Sequence, residues 1–211
     1  MTEDASDGTL LDRWRAGETA AFVVLVERYQ APLLRHAHSV LGPARSGGGR
    51  GPEDVVQEAF LKLAEAPPAL PERCRGDAAA ERAQLGAWLH TVTRNLCMDT
   101  LRADRRRQYR EGEAAPEHSV TDGGLKGVEA EDTRAAVQRS LDKLPQDQRE
   151  VLVLRLLGEK SYSEIADITG RKVGTVGWLI SVGLKALTRE LAPLLVGAPL
   201  GSGDGAARLQ A

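Results

Sequence analysis

The chain has 211 residues, 27% of them charged and 4% aromatic, with a formal net charge of −2. That length allows one large or two small domains with separate cores, and the near-neutral balance by itself neither requires nor excludes nucleic acid. Two cysteines, Cys74 and Cys97, fit neither a disulfide framework nor a zinc site, so a cytoplasmic location is expected and no metal or other cofactor.

The N-terminus, "MTEDASDGTLLDRWRAG", is acidic and lacks the basic-then-apolar layout of a signal peptide; residues 1–9 are expected to be disordered. No apolar run approaches the roughly 18 residues that span a bilayer, so membrane insertion is not expected. Strand-like runs of β-branched and aromatic residues are scarce, and the expected fold is all-α. A helical pattern runs over 10–110, broken at Gly17, over 42–52 and over 66–77, where Gly and Pro cluster. Residues 111–132, acidic, Gly-rich and nearly free of large apolar side chains, read as a flexible linker. Helical periodicity returns over 133–195, and 196–211 read as a disordered tail.

In the first helical segment, "PEDVVQEAFLKLAEA" opens on Pro52 and two acids, which suit the first turn of a helix. Val56, Ala59, Phe60 and Leu63 form its buried stripe, leaving Asp54, Glu58, Leu61 and Glu65 opposite with Gln57 beside them. That face is either solvated surface with one stray leucine or a docking site, an apolar anchor among charges that select a partner. In "LGAWLHTVTRNLCMDTLRADRRRQYR", Leu85, Trp88, Leu89, Val92 and Leu96 make one stripe, with Asn95 and Asp99 along its edge. Arg94, Met98, Leu101 and Arg105 are predicted to face away. Arg102, Arg105, Arg106, Arg107 and Arg110 then place five arginines in nine residues. That is more positive charge than a helix dipole calls for, and it favours phosphate binding.

In the second segment Leu141 and Leu144 close an amphipathic helix, and Pro145 starts the next. Val151, Leu152, Leu154 and Leu156 are predicted core, with Gly158 as terminator. Ser161 and Glu164 fit a capping box; a short helix follows with Ile165, Ala166 and Ile168 buried, and Gly170 takes the left-handed position after it. The last helix begins near Val173, with Val173, Val176, Ile180, Gly183, Leu184 and Leu187 as its predicted buried stripe. Short helix, glycine turn and longer helix is the helix-turn-helix arrangement.

"DVVQEAFLKL", "AWLHTVTRNLCMDTLR" and "LDKLPQDQREVLVLRLLGEKSYSEIADITG", in that order and with a linker between, resemble the RNA polymerase sigma factors of the extracytoplasmic-function (ECF) class. The resemblance covers about residues 10 to 190. It implies two helical domains, region 2 over 10–110 and region 4 over 133–195, which bind core RNA polymerase through the β′ clamp helices and the β flap. Asp54, Gln57, Glu58 and Leu61 would dock on the clamp helices, in agreement with the outward face derived above. Arg94, Met98, Leu101, Arg102, Arg105, Arg106 and Arg107 would serve the −10 element, Trp88 being core and Asn95 with Asp99 a buried hydrogen-bonded pair. Promoter DNA and an anti-sigma factor are the other implied partners.

The chain departs from the family at the recognition helix, where relatives carry a serine cap and Lys or Arg outside. Here no charge and no amide occurs from Val173 to Leu184. The expected −35 face is Arg171, Lys172, Thr175, Trp178 and Lys185, of which Arg171, Lys172, Thr175 and Lys185 would act mainly on phosphates. Trp178 and Val182, with Leu179 at their edge, form an apolar face that suits thymine methyl groups or protein; protein contact is favoured in the free state, with either an anti-sigma factor or the chain's own region 2. An alternative role is a sigma-like module that sequesters an anti-sigma factor. A response-regulator-like factor would need a receiver or ligand-binding domain in front, and none is legible. An enzyme is not expected: His36, His38, His90 and His118 show no ligand spacing, and no nucleophile-and-base set stands out.

Overall fold

The computed structural model describes residues 5–42, 50–111 and 129–196, so most of the linker and nearly all of the C-terminal tail lie outside the described residues. All regular structure among these residues is helical: α1 (Asp7–Arg15), α2 (Thr19–Leu41), α3 (Pro52–Glu65), α4 (Ala78–Glu111), α5 (Glu129–Asp142), α6 (Gln146–Leu156), α7 (Tyr162–Thr169) and α8 (Val173–Val196), with a 3₁₀ turn at Glu72–Cys74. None of these helices is long and apolar enough to cross a membrane.

Two cores form. Helices α1 to α4 enclose Leu10, Leu11, Leu25, Leu33, Val56, Leu63, Leu85 and Leu89, and α5 to α8 enclose Leu141, Val151, Leu152, Ile165, Val176 and Ile180. Each fully buried leucine or isoleucine contributes about 1.5–3 kcal/mol, so either cluster can hold its own helices together.

The N-terminal boundary differs from expectation. Ser6 accepts the Thr9 N–H and starts α1 at Asp7, inside the stretch predicted to be disordered. Asp7 is buried, meeting both Arg28 and the Tyr29 hydroxyl of α2. These long-range partners order residues whose composition alone argues for disorder. Helix α5 likewise opens at Glu129, before the linker boundary drawn at 132.

Glu81 ties α1 to the start of α4. It is buried and accepts the backbone N–H of Gly8 at 2.9 Å and of Gly76 at 3.0 Å. A hydrogen bond from Ser6 and these two N–H groups outweigh the opposing effect of burial and hold its carboxyl below the usual carboxylate value. The stabilisation is therefore present above about pH 4.5 and is lost as pH falls through the lowered value. Glu81→Ala leaves two backbone donors unpaired and is expected to cost about 3 kcal/mol, read as a lower unfolding midpoint in urea. It should also flatten the acid limb of the stability–pH curve.

In α8 the predicted stripe is rotated. Leu179, expected at the edge, is buried, whereas Val173 and Leu184, expected inside, are exposed. Leu156 at the end of α6 is also exposed rather than core. At 100° per residue Leu179 and Leu184 lie on opposite flanks of the Val176–Ile180 line, and the arc that α6 and α7 cover includes the first and not the second. Gly183 has its reason here: an added Cβ would lie 3.0 Å from Leu152 Cδ1, so glycine lets α8 approach α6 closely.

Candidate docking face and nucleic-acid interfaces

Pro52 opens α3, Asp54 caps it by accepting the Gly51 N–H at 2.9 Å, and the Val55, Val56, Ala59, Phe60 and Leu63 side chains turn inward. Leu61 is 55% exposed on the opposite side, where Asp54 and Gln57 are also exposed. Glu58 pairs with Arg50 and lies 3.9 Å from Lys62. The four residues predicted to form one face do so, and an exposed leucine ringed by polar groups is what a docking anchor requires.

Helix α4 starts where Asp77 Oδ1 accepts the Ala79 and Ala80 N–H groups, and it runs to Glu111. Trp88 is half-buried against the first core, as expected. Met98 and Leu101, predicted to face outward, instead pack partly against that core, because α2 and α3 both lie along α4 and cover a wider arc than one stripe. Asn95 and Asp99, predicted as a buried pair, are exposed, and Asp99 accepts from Arg102 at 2.9 Å. Arg105 and Arg106 are exposed, whereas Arg107 lies 3.6 Å from Asp104. These arginines make the end of α4 an electropositive, solvent-facing surface.

At the other end of the chain, Ser161 and Glu164 form a reciprocal capping box on α7. Gly170 ends that helix at φ 67°, a left-handed turn that a side chain would strain. Lys172, Thr175, Trp178 and Lys185 are exposed along α8, with Trp178 at 61%. Arg171 departs from expectation: its guanidinium is held by Asp147 at 2.5 Å, so reaching a phosphate requires leaving that pair. Among the described residues no group of three or more His, Cys, Asp or Glu is arranged to hold a metal ion.

The sequence matches the family profiles described as "Sigma-70 region 2" over residues 25–107 and "Sigma-70, region 4" over residues 134–187. It is 33% identical over 204 residues to the ECF RNA polymerase sigma-E factor of Escherichia coli K12, covering 92% of this chain and 99% of that protein. The chain belongs to the ECF sigma factors. The RNA polymerase sigma-H factor of Pseudomonas aeruginosa is 29% identical, covering 92% of this chain and 98% of its own. Among solved structures, the fold is similar to the sigma factor RpoE of Bartonella quintana, crystallised with the anti-sigma factor NepR. That match has a TM-score of 0.56 at 24% identity and covers 80% of this chain and 96% of the other. CnrH, solved in complex with the cytosolic domain of CnrY, gives a TM-score of 0.53 at 24% identity, over 92% and 100% of the two chains. As an ECF sigma factor the protein binds core RNA polymerase and directs promoter recognition and transcription initiation.

Regions 2 and 4 of this sigma factor pack against each other, with α6 against α2 and α7 against α4. The seam is polar. Arg94 of α4, predicted to face DNA, donates Nε–H to Glu150 Oε1 of α6 at 2.7 Å. His36 Nε2 lies 3.4 Å from the same oxygen, and His36 Nδ1 lies 3.1 Å from His90 Nδ1. Arg149 donates Nε–H to the Ser39 carbonyl at 2.7 Å. Helical periodicity could not find this cluster, because its partners lie 54 to 114 residues apart. Of the two protein partners expected for Trp178, an anti-sigma factor or the chain's own region 2, the second does not cover it: the region 4 side of the seam is α6 and α7, and Trp178 is 61% exposed.

Proposed function

We propose that region 2 spans 10–110 and region 4 spans 133–195, and that they divide the sigma factor's contacts as follows. Leu61, with Asp54, Gln57 and Glu58 around it, docks on the β′ clamp helices, and region 4 meets the β flap. Arg102, Arg105, Arg106 and Arg107 hold the backbone at the −10 element, with Arg94 joining them once it leaves Glu150. Met98 and Leu101 act from beneath, by supporting that face. Opening of the duplex needs no catalytic step, so the chain is not an enzyme; unstacked bases are captured and basic side chains hold the strand. Lys172, Thr175 and Lys185 engage phosphates at the −35 element, with Arg171 when it exchanges Asp147 for phosphate. Trp178 offers an apolar surface to thymine methyl groups. The protein works in the cytoplasm, and an anti-sigma factor is a further partner, supported by the fold shared with the RpoE–NepR complex.

The observation that carries this assignment is the coexistence on region 2 of an exposed leucine face and an exposed arginine face. Run-off transcription with purified core polymerase on a genomic fragment library, with 5′ ends mapped, tests it. Discrete start sites that share upstream elements are expected. A chain that binds an anti-sigma factor yet yields no transcript with core polymerase is instead a sequestering module.

A further inference from the structure

The two cores are separate, and apart from Ala87 of α4, which packs against the second core, what joins them is a buried set of charged and polar groups. Glu150 is fully buried, and its second oxygen, Oε2, has no hydrogen-bond partner. Buried ion pairs add little net stability, because desolvation offsets their attraction. When such a seam parts, water solvates each group, whereas parting an apolar core has no such compensation. The geometry therefore favours a contact that closes and opens over a permanent one.

Closure is incompatible with full promoter engagement. Elements centred near −10 and −35 lie about 25 base pairs apart, or ~85 Å at 3.4 Å per pair. A compact chain of this length is only about 45 Å across. The α4 face that meets region 4 carries Ala87 and Arg94, with His90 near enough to feel the charge of Lys160, and Glu150 occupies the Arg94 guanidinium, which is then not free for a phosphate oxygen.

We propose that Glu150 is an autoinhibitory latch: in the free protein it occupies Arg94 and, with His36 and His90, holds region 4 over region 2 until polymerase or DNA separates them. The part of this that concerns DNA rests on the assignment of Arg94 to the −10 face.

The latch responds to protons. The groups facing it are Arg35 and His36 from α2, His90 and Arg94 from α4, Arg149 and Glu150 from α6, and Lys160 with its partner Glu164 at the start of α7. Burial, reinforced by His36, Lys160 and Arg35, pushes His90 well below its ordinary value near 6.5. Of these groups Lys160 alone belongs to region 4, so the open form, free of its charge, takes up a proton on His90 more readily than the closed form. Closure is thus fullest above about pH 6.5 and weakens as pH falls, by at most about tenfold per unit for one proton. Burial raises Glu150, but the hydrogen bonds and charges of His36 and Arg94 outweigh it and hold the carboxyl below its ordinary value. Its protonation opposes closure in the same direction at still lower pH.

Small-angle X-ray scattering of the full chain, from about pH 7.5 to about pH 5.5, reads closure without reference to DNA. Expansion on acidification is expected for the wild type, and a much flatter response for His90→Gln. Glu150→Gln should be expanded already at pH 7.5. Ala87→Arg, which pushes a long cationic side chain against the region 4 core on which Ala87 packs, should be expanded too, with both variants keeping wild-type helical circular dichroism. In the same variants, anisotropy with a fluorescein-labelled mixed-sequence duplex should show about tenfold tighter binding and a salt slope steeper by about one phosphate. Wild-type compactness in both Glu150→Gln and Ala87→Arg overturns the latch. Expansion with unchanged duplex binding keeps the latch but overturns the assignment of Arg94 to DNA.

Discussion

Leu61→Glu is expected to weaken binding to core polymerase by about a hundredfold while leaving the fold intact. Loss of a central apolar anchor from a docking site removes 2 kcal/mol or more, and a buried, unpaired carboxylate in its place adds to the loss. The fold is insulated from the change because Leu61 is 55% exposed, and Leu and Glu have similar helix propensities. The new carboxylate falls three residues after Glu58 and four before Glu65, which costs only a few tenths of a kcal/mol in helix stability. Thermal unfolding and competition for core polymerase against the unmodified chain separate the two effects. A variant that melts normally and still competes equally would remove this face of α3 from the polymerase interface.

Replacing Arg105, Arg106 and Arg107 together with alanine should weaken DNA binding on every sequence by a similar factor. The slope of log affinity against log salt should become shallower by about two to three units. The lower end of that range allows for Arg107, which already shares its charge with Asp104 at 3.6 Å. Alanine is the stronger helix former, so α4 itself should persist, and circular dichroism provides the control. Anisotropy titrations over a salt series on two unrelated duplexes are the measurement. A slope equal to that of the parent would make these arginines solvated surface and no more. A loss confined to one duplex would make them base readers.

Much of the local structure was legible because it depends on neighbours close in sequence. The Ser161–Glu164 capping box and the Gly170 turn needed only three to nine residues of context, and both formed. The outward placement of Leu61 followed from the 3.6-residue period of α3, a helix covered on one side only. Helix α4 defeated the same rule: with α2 and α3 both along it, Met98 and Leu101 were covered from a second direction. Asn95 and Asp99 lay outside that arc and stayed exposed. Residues 7–9, too polar to order themselves, were held by Arg28, Tyr29 and Glu81 from other helices.

What the sequence by itself determined is the set of helices, their caps, the exposed leucine of α3 and the arginine-rich end of α4. These depend on propensity, periodicity and charge, all of which act over a few turns. The ordered motifs were enough to imply the sigma-factor family. Only the tertiary structure decided that Arg94 faces Glu150 rather than solvent, that two histidines on different helices meet at 3.1 Å, and that Trp178 is left uncovered. A period states which side chains share a face. Which face is covered, and by what charge, depends on how helices more than a hundred residues apart are brought together, as with His36 and Glu150.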